Sequence, residues 1–263
     1  MSVRSDSAGR APLRLAGWLA LPEPIIVEVV ARMDFDWIGL DLQHGAWDLG
    51  TAFRGIQLAD ALGKPVLIRL PDEQLSLIPR VLDHGASGVV LAMASDPVVV
   101  RGAVERARYQ PAGLRSYGGQ RYGLRQGPSD PEEVRPGIFA MVETRRGVEA
   151  IDEISSVESL AGIHVGPADL ALGLGLGADI AALAFTRAVE RIIEAAHQRG
   201  LPTTMHAVAP DQARRWADIG FDELVLTTDV DLLRKAFAEL RRGARAALGI
   251  TADEAAASVG YMK

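Results

Sequence analysis

The chain has 263 residues, of which 48% are hydrophobic, 24% charged and 5% aromatic, a composition ordinary for a globular protein. A net charge of −6 and an isoelectric point near 5.4 exclude the broad positive field that nucleic-acid binding needs. The absence of cysteine excludes disulfides, cysteine nucleophiles and thiolate metal sites, and the three lysines (Lys64, Lys235 and Lys263, against 25 arginines) bound any lysine chemistry.

Short apolar runs alternate with amphipathic ones along the whole chain. Residues 1–12 read as a polar tail without the charged-then-apolar pattern of a signal peptide. Leu15–Leu19 is a predicted strand and Pro24–Arg32 a helix opened by proline. Trp37–Asp41 is the second strand, with a helix near Leu49–Leu62, and Val66–Arg69 the third, with a helix near Leu75–His84. Gly88–Ala92 is the fourth, with a helix near Pro97–Arg108, before a Gly/Arg/Pro-rich loop from Gln110 to Pro136. Ile138–Val142 is the fifth, with a helix near Val148–Ser155, and Gly162–Val165 the sixth, with a strong helix at Phe185–Arg199. Thr203–His206 is the seventh, with a helix at Asp211–Ile219, and Leu224–Leu226 the eighth, with a long helix at Val230–Leu248. No apolar stretch reaches the roughly 20 residues of a membrane span. No membrane partner is expected, and the cytoplasm is the default location.

Eight strand–helix units in this length predict a closed (β/α)8 TIM barrel over residues 13–248, with tails at 1–12 and 249–263. An open doubly wound sheet is the alternative, but no Gly-rich turn follows the first strand. In a barrel the reactive groups sit where strands end. The second strand leads into Asp41-Leu42-Gln43-His44-Gly45, the third ends in Arg69, and the fifth runs into Glu143-Thr144-Arg145. The sixth leads to Gly166-Pro167-Ala168-Asp169, and the seventh ends in His206.

Glu143 and Asp169, after neighbouring strands, together suit a hard divalent cation such as Mg2+ or Mn2+, an oxygen set that also admits Co2+; either alone is more often a helix cap. Arg69 suits a carboxylate or enolate oxygen, against a structural ion pair. His44 suits a general base oriented by Asp41 or another carboxylate, against a hydrogen-bonded loop histidine. His206 either lines the pocket mouth or packs. His164 reads as a satisfied core residue, His197 as a solvated helix end, and His84 as a cation suited to its helix terminus. No lysine falls at a strand end, which argues against a Schiff base and for metal as the electron sink in carbanion chemistry. The Gly173-Leu174-Gly175-Leu176-Gly177 run lacks the Lys-Ser/Thr of a phosphate loop and reads as a turn. The Arg115–Arg125 stretch, with three arginines and two tyrosines, suits an anionic substrate, a neighbouring subunit or plain solvent.

Asp36-Trp37-Ile38-Gly39-Leu40-Asp41-Leu42-Gln43-His44, Pro111-x-Gly113-x-Arg115-Ser116, Val142-Glu143-Thr144-Arg145 and Gly166-Pro167-Ala168-Asp169-Leu170 recur in the order found in the HpcH/HpaI family of metal-dependent 2-oxoacid aldolases, which the chain resembles over roughly residues 13–248. The resemblance implies a barrel of the phosphoenolpyruvate/pyruvate type. It implies Glu143 and Asp169 as metal ligands and Arg69 as the arginine that holds the 2-oxoacid and its enolate oxygen. His44 is then the base, with Asp41 and Asp83 as acidic residues that tune it. Gly166, Ala168 and Asp169 fall on the carboxylate-binding backbone and Ser116 on a substrate contact, while His206 departs from the family at a rim position that is often apolar or aromatic, where the aldehyde would approach. It further implies a C-terminal helix exchanged between subunits and a trimer of dimers, a homohexamer. Met141 stands where the family often has Gln, and Gln43 where many members have Glu.

These readings converge on aldol cleavage or addition through the enolate of pyruvate or hydroxypyruvate, with an aldehyde as the second substrate. An acyl-CoA ester lyase of the citryl- or malyl-CoA type and a noncatalytic 2-oxoacid-binding barrel are the alternatives.

Overall fold

The computed structural model describes residues 12–250 apart from 119, 122, 123 and 125–134. The expected tails therefore fall almost wholly outside the described residues, as do Tyr122 and Arg125 of the arginine-rich loop.

Eight parallel strands close in sequence order into a barrel, β1-β2-β3-β4-β5-β6-β7-β8. They are β1 (Arg14–Leu19), β2 (Trp37–Asp41), β3 (Val66–Leu70), β4 (Gly88–Leu91), β5 (Gly137–Val142), β6 (Gly162–Val165), β7 (Thr203–Ala207) and β8 (Glu223–Thr228). Between them lie α1 (Pro24–Ala31), α2 (Leu49–Ala61), a 3-10 turn (Asp72–Leu77) leading into α3 (Ile78–Asp83), and α4 (Pro97–Ala107). After β5 come α5 (Arg145–Glu149) and α6 (Ile151–Ser155); after β6, α7 (Pro167–Gly173) and α8 (Leu183–His197); then α9 (Pro210–Ile219) and α10 (Asp229–Leu248). The single helix expected near Val148–Ser155 is two short ones, and α7 had no counterpart among the expected elements.

Local chemistry starts the helices. Proline occupies the first turn of α1, α4, α7 and α9, where its missing N–H is no loss. Asp48 and Thr51 form a reciprocal capping box on α2, and Asp96 caps α4 through Val98 N–H.

The strands are covered on both faces. The larger core fills the layer between strands and helices, with Ile38, Ile68, Val89, Ile163 and Phe185 among its fully buried members. A second, smaller cluster fills the barrel interior: Ala16, Trp18, Trp37, Leu67, Val90, Ala92, Met141 and Val225. Trp18 fits there because β2 has glycine at position 39; a Cβ at Gly39 would overlap the indole ring. The lower end of the interior is closed by Glu223, which accepts hydrogen bonds from Arg14, from Trp37 Nε1 (2.9 Å) and from Thr204 Oγ1 (3.3 Å).

The last helix departs from barrel packing. Asp229, in its first turn, is its buried residue, while Leu232, Leu233, Phe237, Leu240 and Leu248 are exposed, Phe237 at 65% and Leu240 at 70%. The Asp229 carboxylate accepts the Ala20 and Leu21 N–H groups at 2.9 and 3.1 Å, which fixes the loop after β1. No helix among the described residues is long and apolar enough to cross a membrane.

Candidate active site

Loops that follow strands gather at one end of the barrel, and loops that follow helices gather at the other. This topology sorts the residues singled out in the sequence. Asp41, His44, Arg69, Glu143, Gly166, Ala168, Asp169 and His206 stand at the strand C-terminal end. Asp83 ends α3, and Ser116 lies between α4 and β5, so both fall at the opposite end.

Asp41 organises the first half of the rim. It is 4% exposed, and its Oδ1 accepts the backbone N–H groups of Gln43 (3.1 Å) and His44 (3.0 Å). Arg69, buried at the end of the neighbouring strand, donates from Nε to Oδ1 at 2.8 Å and from Nη2 to Oδ2. Trp18 Nε1 lies 3.4 Å from Oδ2, and the Arg69 guanidinium sits 5.5 Å from the Trp18 ring centroid. Burial works against charge on Asp41, but the hydrogen bonds and charge of Arg69 and the His44 N–H outweigh it and hold its pKa below the ordinary range. Both sequence readings of Arg69 therefore meet: it is ion-paired, and the pair fixes its orientation with Nη1 outside the fork. Asp41 orients His44 through the main chain and not through the ring. The His44 side chain is exposed, on a turn packed against the Ala20 backbone.

Glu143 organises the other half. It is 2% exposed and its Oε1 accepts the Met93 N–H at 2.6 Å. Its Oε2 is buried with no hydrogen-bond partner, packed against Gly166, where any Cβ would overlap it. Burial pushes its pKa up to about 7; the Met93 N–H opposes that shift, and the nearby Asp169 charge adds to it. Asp169 and Ala168 lie exposed in the first turn of α7, where backbone N–H groups have no partner within the helix. No group of three or more metal-suited side chains occurs among the described residues; the two carboxylates here are the buried Glu143 and the exposed Asp169, close enough to feel each other's charge.

The register carries the rim further. Val142 pairs with Val165 and Val165 with Met205, which puts Glu143, Gly166 and His206 on one level. His206 contacts the Trp18 ring at 4.9 Å between centroids, so it lines the interior just behind Arg69. His164, one level lower beside Met141, is fully buried, but its Nε2 has no partner. The expectation of a satisfied core histidine does not hold for this atom: His206 stands 5.0 Å away between ring centroids and Thr204 is its strand partner, but neither bonds Nε2.

Long-range contacts define the surroundings of the other residues singled out in the sequence. Asp83 accepts a hydrogen bond from Arg115 Nη2 at 2.6 Å, at the lower end of its own barrel. Arg115 is buried in that pair, and Arg121 binds Asp60 and the His84 carbonyl, so these two loop arginines act as structural cations at the lower face. Ser116 is exposed beside them. His197 is not simply solvated; its Nε2 lies 2.8 Å from Asp222 Oδ2. His84 stacks on Phe53 at 3.5 Å. Lys64 bonds the carbonyls of Met33 and Phe35, far from the rim. Two contributors to the site escaped sequence reasoning. Trp18 reads as one more strand residue, and Met93 acts through its N–H at a positive φ of 52°.

This rim can hold an oxyanion beside a cation. A model of the family described as HpcH/HpaI aldolase/citrate lyase matches residues 14–236. The chain belongs to that family. Aldolases and citrate lyases both work on carbon–carbon bonds, and the chain is a carbon–carbon lyase by that membership. A hydroxypyruvate/pyruvate aldolase of Rhizorhabdus wittichii is 32% identical over 88% of this chain and 94% of its own. A 5-keto-4-deoxy-D-glucarate aldolase of Klebsiella pneumoniae is 27% identical over 87% and 91%. The crystal structure of an HpcH/HpaI aldolase from Desulfitobacterium hafniense superposes with a TM-score of 0.82 at 25% identity, covering 89% of this chain and 93% of that one.

Proposed function

We propose that the chain catalyses divalent-metal-dependent aldol cleavage and addition, through the enolate of pyruvate or hydroxypyruvate and an aldehyde. One observation carries this reading: the buried, unpartnered Glu143 Oε2 beside Asp169, across the mouth from an Arg69 already fixed by Asp41. An orphaned carboxylate oxygen next to a second carboxylate fits Mg2+ or Mn2+, which use one or two protein carboxylates and fill their remaining positions with water and substrate oxygens. Such an ion supplies Lewis-acid polarisation of the 2-oxoacid, which acidifies its C3 protons.

The chain's own residues do the rest. Arg69 presents Nη1 to the developing enolate oxygen, and the Asp41 fork keeps it from swinging away. His44, on the turn pinned by Asp41, takes the C3 proton. The first-turn N–H groups of Ala168 and Asp169 receive the oxoacid carboxylate. Chelation followed by a pyruvate-release assay tests the metal. Activity should vanish on chelation and return on adding Mg2+ or Mn2+; full activity in the chelated enzyme would overturn the proposal.

The assembly belongs to the same reading. A cavity of about 350 Å3 opens between α1 and the start of α10, lined by Ile25, Val29, Met33, Leu226, Leu232 and Leu233. It lies beside a helix whose apolar residues are exposed, which supports a homo-oligomer in which last helices are exchanged, arranged as a trimer of dimers. Light scattering on the purified chain reads the number of copies.

A further inference from the structure

A base must meet its proton at hydrogen-bond distance, yet His44 stands exposed on a turn. Two ties hold that turn. On one side Asp41 Oδ1 accepts the Gln43 and His44 N–H groups. On the other the Ala20 carbonyl accepts the Ala46 N–H at 2.8 Å. Gly45 lets the two backbones approach; a Cβ there would lie 3.0 Å from the Ala20 oxygen and 3.1 Å from its Cα. Ala20 lies past the end of β1, outside the ladder, so its own position needs a cause.

Asp229 supplies it. The carboxylate is 7% exposed and accepts three backbone N–H groups: Ala20 at 2.9 Å, Leu21 at 3.1 Å and Val230 at 2.9 Å. An acid in the first turn of a helix ordinarily serves that helix. Here two of the three donors belong to the loop after β1. A bulge in β8 provides the reach: Gly17 pairs with Leu226 and Trp18 with Thr228, which leaves Thr227 as the extra residue at a φ of 40°. The connection therefore runs from the start of α10 through Asp229 to Ala20, across one hydrogen bond to Ala46, and along two peptide bonds to His44.

We infer that Asp229 is a positioning residue for the base, acting through Ala20 on the His44 turn without touching substrate. The inference rests on the reading of His44 above. A misplacement of about 1 Å costs a reaction step about a hundredfold even when its source is remote from the chemistry. Arg69, Glu143 and Asp169 stand on or after other strands, so the oxoacid and its metal should be held as before.

Asp229→Ala should slow C3-proton exchange of pyruvate in D2O by about tenfold to a hundredfold, with the KM for pyruvate unchanged. Asp229→Asn keeps one acceptor oxygen but sets an NH2 group against a loop N–H, and should fall between wild type and Asp229→Ala. Trp47 Nε1 still bonds the Leu19 carbonyl at 2.9 Å in either variant, which keeps β1 tied to the segment after His44. The deciding measurement combines each change with His44→Ala, at enzyme concentrations where the residual exchange exceeds the buffer rate. If Asp229 acts through His44, the second change should not slow exchange further. The same factor of loss in both backgrounds, or a KM that rises as the rate falls, would make Asp229 a general support of the barrel and overturn the inference. If Asp229→Ala does not fold, Asp229→Asn carries the same comparison. A His44→Ala enzyme that exchanges at the wild-type rate overturns the reading of the base itself, and the inference falls with it; failure of the Asp229 coupling alone leaves that reading standing.

Discussion

The two ends of the barrel use the same materials to different effect. At the lower end Glu223 is buried and paired with Arg14, and further hydrogen bonds from Trp37 and Thr204 reach its second oxygen. At the upper end Glu143 is equally buried, but one oxygen has a partner and the other has none. Burial raises the pKa of both carboxyls, yet only Glu143 lacks a protein cation bonded to it. A saturated carboxylate is a strut, whereas an unsaturated one at the same burial is a place held for something else. Asp41 and Arg69 combine the two states: the pair is tight, but it leaves an Nη1 edge and orients the His44 turn.

The largest expected effect separates the ends by chemistry. His44→Ala should slow C3-proton exchange of pyruvate by about 10²–10⁴-fold while pyruvate binding, followed by calorimetry, persists. Equal loss of binding and exchange would make His44 a structural part of the rim.

Next, both Asp41→Ala and Glu223→Ala should cost about 3–5 kcal/mol in chemical denaturation, because each strands a buried partner or breaks a buried pair. The Glu223 figure should lie toward the lower side, since Arg14 is half exposed. Only Asp41→Ala should also slow exchange in the protein that remains folded. An equal catalytic loss in Glu223→Ala would erase the distinction drawn between the two ends.

The smallest effect concerns Glu143 in metal-free protein. Its folded pKa, about 7, lies above the ordinary carboxyl value. The folded state therefore binds the proton more tightly than the unfolded state. Its contribution is most favourable below about pH 4.5 and is lost as pH rises through 7. Glu143→Gln should remove that loss and stabilise the metal-free chain at pH 8 by on the order of 3 kcal/mol. The gain should shrink toward pH 5, as read from paired thermal melts. A destabilised Glu143→Gln at pH 8 would mean that Oε2 already has a partner in the folded protein.

Much of the fold was legible because its signals are local. Short apolar runs followed by helical segments recur eight times, with proline marking several of the helix starts, and a barrel requires that same repetition. Zero cysteines and three lysines also narrowed the chemistry directly: Lys64 ends in backbone carbonyls and Lys235 lies on the outer last helix, while Lys263 lies outside the described residues. The candidate rim residues Asp41, Arg69, Glu143 and Asp169 could be picked out because a strand end is itself a local feature.

What the sequence did not decide is which groups find partners, since partners come from distant segments. Asp83 and Asp41 look alike as acids near strands. The tertiary structure gives Asp83 to Arg115 at the lower face and Asp41 to Arg69 at the upper one. The Met93 N–H that holds Glu143 comes from 50 residues away through a left-handed backbone position with no sequence mark. His164 and His206 are 42 positions apart in chain and share one indole only because β6, β7 and β1 close around it. Amino-acid order determined the barrel and the chemistry available at its ends. Closure of the barrel decided which polar atoms were satisfied, and the ones left over define the site.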